Sequence, residues 1–119
     1  MLGPVDRVTA LAGERDMTHV LLRHTSGAIS TLTLSVDAPE ALEREDAAFH
    51  GESGIAEVPV VPWVPVEAFG RAVDALIRAA NGGPASALDL KFGAEVVAVL
   101  AAAGESISTG RTVTVDATA

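Results

Sequence analysis

The sequence predicts an α+β domain: an open, mostly antiparallel mixed sheet of about five or six strands, with two helices on one face. Three observations lead there. Strand-patterned segments fill the first half of the chain and helical stripes the second, an order that departs from alternating α/β. Aromatic residues are scarce, three Phe and one Trp, so the core must be built from Val, Leu, Ile and Ala. That composition suits a β-branched sheet under Ala-rich helices. Finally, the last helical stripe runs into Thr112-Val113-Thr114-Val115, a strand that must join the same sheet.

The strands come first. Val5–Ala12 alternates weakly, and the polar turn Gly13-Glu14-Arg15-Asp16 follows it. Thr18–His24 sets Val20 and Leu22 on one face and His19, Leu21 and Arg23 on the other. Thr25-Ser26-Gly27 has hairpin turn chemistry, and residues 28–35 form the clearest strand. Residues 42–50 read as a strand or, at 39–44, a short helix; Gly51-Glu52-Ser53-Gly54 is a turn and 55–60 a further strand. Pro59, Pro62 and Pro65 mark an extended, edge-like segment, because proline cannot donate to a ladder.

Two helices follow. Val66, Phe69, Val73, Leu76, Ile77 and Ala80 form one stripe, stopped by Asn81-Gly82-Gly83-Pro84. The second starts at Asp89, whose carboxylate can accept from an orphan amide of the first turn. Ala94, Val97, Leu100, Ala101 and Gly104 recur at helical spacing, and Gly110 ends the helix.

Composition narrows the function classes. A length of 119 residues makes one domain, and a net charge of −8 with scattered basic residues argues against nucleic acid and anionic membranes. No cysteine means no disulfide framework and no thiolate chemistry. The start carries Pro4 and Asp6 where a signal peptide needs basic and then apolar residues. No run approaches the roughly 20 apolar residues of a membrane span. A cytoplasmic location is expected.

The pattern Asp89, Gly93, Val97, Leu100, Ala102, Ala103, Ser106, Gly110, Val113 and Val115 resembles the closing segment of the Gfo/Idh/MocA family. These are nicotinamide-dependent enzymes of the glucose–fructose oxidoreductase and inositol dehydrogenase type. Leu2-Gly3-Pro4-Val5-Asp6-Arg7-Val8 resembles the family's passage into its first meander strand. Ser26-Gly27-Ala28 with Leu32 and Ser35 resembles its hairpin and second meander strand, Gly51 and Gly54 its next turn, and Phe69 its penultimate helix.

The resemblance implies the family's C-terminal sheet domain, with the dinucleotide-binding half absent from this chain. No G-x-G-x-x-G occurs, and the single lysine, Lys91, lies outside the family's Glu-Lys-Pro motif. The family's catalytic Asp and His belong to a helix before the stretch like Leu2 to Val8. No catalytic, cofactor-binding or metal residue carries over. NAD or NADP is implied for a full-length protein, and this chain alone is expected to be inactive.

The remaining polar groups have plain structural readings. His19 and His24 fall on opposite faces of one strand and cannot jointly hold a metal, and His50 brings no further ligand set. Gly51-Glu52-Ser53-Gly54 is one residue short of a nucleophile elbow and reads as a hairpin turn. Glu43, Glu45 and Asp46 read as a solvated acidic face, Trp63 as a ring packed at the sheet edge, and Ser106 as a packing residue near a helix end.

Two functions fit. One is the substrate-side and oligomerisation domain of an NAD(P)-dependent sugar or cyclitol oxidoreductase; the other is a stand-alone module that self-associates or holds a small ligand. In both, Leu32 and Leu34 belong under the helices. Ile29, Thr31 and Thr33 are left on an uncharged face suited to pairing with a second copy, so a homodimer through these three residues is expected.

Overall fold

A computed structural model describes residues 2–37, 39, 46–59, 64–86 and 89–115. The chain forms two compact units, Met1–Ala38 with Ala87–Ala119, and Pro39–Ser86. The class is α+β, as expected. Every strand pair among the described residues is antiparallel, and the six strands divide into sheets of four and two.

The first unit is a four-stranded sheet backed by one helix. Its strands are β1 (Val5–Ala12), β2 (Thr18–His24), β3 (Ile29–Leu34) and β6 (Val113–Thr114), in the order β3-β2-β1-β6. The final strand thus enters the sheet beside the first. Helix α2 (Leu90–Thr109) packs on β1 and β6. The core is Val8, Ala10, Val20, Ala102 and Val115, with Val5, Leu22, Ala98, Val99, Ala103 and Val113 packed around it.

Turn chemistry sets the register. Between β1 and β2, Arg15 and Asp16 both take positive φ, 55° and 53°, and Met17 N–H donates to Glu14 C=O at 3.2 Å. That is the mirror-image turn which matches strand twist, built here from Asp16, which tolerates the left-handed region, and Arg15, which is poorly suited to it. Between β2 and β3, His24 N–H bonds Ala28 C=O and Gly27 takes φ 87°, a three-residue loop with glycine at its left-handed position. A bulge between Val5 and Arg7 leaves Asp6 as the extra residue of β1.

Helix α2 begins and ends as its sequence dictates. Asp89 accepts from Phe92 N–H at 2.8 Å, and Gly110 caps the other end at φ 66° with its N–H on Ser106 C=O. The four-stranded sheet is wider than the helix. Leu32 and Leu34 sit in register with Val20 and Thr18, on the helix side, yet remain 38% and 53% exposed.

The second unit contains the hairpin β4 (Ala48–Gly51) and β5 (Gly54–Glu57) and helix α1 (Pro65–Ala80). The hairpin pairs with itself, because Gly51 opposite Gly54 leaves only Glu52 and Ser53 to turn the chain. Pro65, expected in an extended segment, is instead the first residue of α1, where its missing N–H is no loss. The helix stops in a paired cap: Gly82 N–H bonds Ala79 C=O and Gly83 N–H bonds Arg78 C=O, with Gly82 at φ 81°. The α1 stripe is present but none of its residues is buried. The alternative of a short helix at 39–44, most of the acidic cluster and Trp63 fall outside the described residues. Among the described residues, no helix is long and apolar enough to cross a membrane.

Candidate functional site: the open sheet face

Antiparallel register places directly opposed residues on the same face, so the face away from α2 can be read row by row. One row is Leu11, His19 and Thr33; the next is Thr9, Leu21 and Thr31; the third is Arg7, Arg23 and Ile29. Thr114 extends the third row opposite Arg7. Thr112 extends the second, its hydroxyl 2.7 Å from that of Thr9.

Ile29, Thr31 and Thr33 are therefore on this face, and all three are exposed. Sequence reading missed their companions Thr9, Leu11, Thr112 and Thr114. The signal was there in the alternation Thr9-Ala10-Leu11 and Thr112-Val113-Thr114, each flanking a core residue. The middle of the face is apolar and hydroxyl-bearing. Leu11, Leu21 and Ile29 are exposed, and Thr33 bonds the His19 ring at 3.1 Å.

Charge is confined to one end. Arg7 and Arg23 oppose each other across β1 and β2, a repulsive pairing that the bulge relieves. It turns Asp6 toward Arg23, which grips both carboxylate oxygens through Nε and Nη2. Those hydrogen bonds, helped by the positive charge of Arg23 and Arg7, hold the Asp6 carboxyl below the usual carboxylate range. The same contact raises the Arg23 guanidinium.

The other candidates resolve into structural roles. His24 lies on the helix side of β2, opposite in facing to His19, and is buried. One ring nitrogen meets Gly3 C=O and the other the Ser30 hydroxyl, both at 2.8 Å, so the ring ties the N-terminal segment to β3. Glu52 and Ser53 form the tip of the β4–β5 hairpin. Ser106 is fully buried and bonded on both sides. Among the described residues, no group of three or more His, Asp or Glu is placed to hold a metal ion.

A dinucleotide does not fit these residues. Its pyrophosphate needs a free helix N-terminus after a parallel strand. At α2 the Asp89 carboxylate occupies that position, and at α1 Pro65 removes one amide while Glu67 adds negative charge.

A protein described as a myo-inositol dehydrogenase, from Sinorhizobium meliloti 1021, matches 96% of this chain with a TM-score of 0.68 and 17% identity. The likeness is one of fold. The chain spans 44% of that protein's length. The neighbour's description agrees with the inositol dehydrogenase type that the sequence resembles. No protein-family model and no curated protein matches the sequence.

Proposed function

We propose that this chain is the substrate-side and oligomerisation domain of an NAD(P)-dependent oxidoreductase acting on a sugar, cyclitol or related polyol. The observation that carries the reading is the fold likeness over 96% of the chain to a protein described as a myo-inositol dehydrogenase, of which it spans 44%. A nicotinamide cofactor would accept or deliver hydride at a carbinol carbon. In this reading a separate dinucleotide-binding half holds it, because the helix N-termini among the described residues are capped by Asp89 or begin with Pro65. This chain then supplies a sheet scaffold, part of the substrate wall and an interface.

The open face supports the interface role. Its central rows carry Thr9, Thr31, Thr33, Leu11 and Leu21 with no Lys or Glu. A flat, β-branched surface of that kind suits face-to-face packing on a symmetry mate. This feature also favours a second reading, a stand-alone self-associating module without chemistry. The coding region before Met1 separates the two. The oxidoreductase reading expects an in-frame strand, glycine-rich turn and helix there. A stop codon followed by a ribosome-binding site would overturn it and leave the module.

A further inference from the structure

Helix α2 is apolar on both sides. One side, with Ala98, Val99, Ala102 and Ala103, packs into the core of the four-stranded unit. The opposite side presents Leu90, Gly93, Val97, Leu100, Gly104 and Ile107, alternately three and four residues apart. That is the a/d spacing of a helix-pairing seam. Leu90 is 91% exposed, Val97 and Leu100 are 64% exposed and Ile107 is 40% exposed. The helix has three charged residues, Lys91, Glu95 and Glu105, and all lie on the half away from the seam. An ordinary surface helix has the reverse arrangement, and one apolar all round is normally buried.

The glycines add an independent observation. Mid-helix glycine weakens a helix, and is kept where another backbone comes close. A Cβ at Gly93 or Gly104 would meet nothing within 4 Å in this structure. Among the described residues of the four-stranded unit, nothing packs close against either glycine.

We infer that this seam docks a second copy of the same helix, antiparallel, about a two-fold axis between Val97 and Leu100. The order of residues identifies the occupant. The stripe runs large, small, large, large, small, large, the same in both directions. In an antiparallel pair Leu90 meets Ile107 of the second copy, Gly93 meets Gly104, and Val97 meets Leu100. A two-fold interface needs that self-complementarity. The four large residues expose roughly 500 Å² per copy, so complete burial of all four would cover at most about 1,000 Å² across the pair, the lower end for a specific interface. The sheet already holds the helix in place, so docking orders no new backbone. The seam and the open sheet face lie on opposite sides of the unit, and the two contacts are independent.

The chain has no cysteine, so single introduced thiols report the contact cleanly. Leu90→Cys and Ile107→Cys are made separately, each in a Thr31→Arg background that removes association through the sheet face. On mild oxidation the mixture should form the 90–107 disulfide at least about tenfold faster than either variant forms a disulfide with itself. In an antiparallel pair the two copies of residue 90 stand about 25 Å apart, at 1.5 Å per residue. Adding Val97→Glu and Leu100→Glu should abolish the mixed disulfide while the helical circular dichroism signal of the folded protein is retained, because both positions face outward. Equal rates in the mixture and in Leu90→Cys alone would overturn the antiparallel seam. No disulfide in the folded mixture would overturn docking of a second copy. Either failure leaves the oxidoreductase reading intact.

Discussion

Ser106 stands in for a missing stretch of strand beside Ala10. The register of β1 with β6, Val8 opposite Val113, places Arg111 opposite Ala10 two residues further on. Those two residues do not bond directly. The Ser106 hydroxyl accepts from Ala10 N–H at 2.9 Å and donates to Arg111 C=O at 2.6 Å. One side-chain oxygen from α2 therefore completes the sheet ladder and fixes the helix to it.

Ser106 is fully buried, and Ser106→Ala should be clearly destabilising although it adds no bulk and removes only the bridge. It strands a buried donor and an acceptor, each costing about 1–3 kcal/mol if left unpaired. Denaturant melts should show a loss of about 1–3 kcal/mol, the lower part of the combined range because water can reach Arg111. An unchanged midpoint would mean that the ladder closes on its own.

The β1–β2 turn should be improvable. Arg15 and Asp16 both sit in the left-handed region, which costs roughly 1–2 kcal/mol per ordinary L-residue. Arg15→Asn together with Asp16→Gly supplies the residues this turn prefers. The double variant should gain about 1 kcal/mol or more in the same melts. A loss would show that the two side chains contribute more than their backbone strain costs.

Acid should weaken the bulge. The Arg23 hydrogen bonds hold the folded Asp6 carboxyl below its usual range, so folding is favoured by its ionised form. That contribution is fully present above the unfolded carboxylate range and is lost as pH falls through the lower folded value. Asp6→Asn should remove this part of the acid dependence. The comparison is the slope of melting temperature against pH below pH ~4. Parallel slopes for parent and variant would count against the assignment.

Thr31→Arg tests the sheet face. Thr31 is exposed in the central row with Leu21 and Thr9, where a second copy would leave a charge without a partner. Light scattering after size exclusion should give a dimer or a larger assembly for the parent chain and, for the variant, a loss of the contact through this face. A parent that runs as a monomer at high micromolar concentration would end the dimer proposal.

Local features were legible in the sequence, and long-range ones only in part. Asp89 and Gly110 act on groups within four residues, so residue type alone located both ends of α2. The alternation of Thr18–His24 likewise sorted His19 from His24. The Ser106 bridge could not be read, because it depends on Ala10 lying 96 positions away. Nor could the split into sheets of four and two. Hairpin chemistry says that Gly51 and Gly54 pair, and says nothing of what lies beside the hairpin. Of the candidate face, Ile29, Thr31 and Thr33 followed from period two; Thr112 and Thr114 joined it only through the register of β6 on β1.

That register also has a consequence in time. Because β6 closes the edge of β1, the N-terminal strand waits for residues made about a hundred positions later. At about 5–20 residues per second, β1 spends on the order of 5–20 s of synthesis as a bare edge. Through that interval its outward amides at Val8 and Ala10 are open to any other nascent strand. The length of the Pro39–Ser86 unit sets much of that delay. Slower translation through it would lengthen the exposure, and the hazard would be greatest on polysomes, where neighbouring chains present the same edge together.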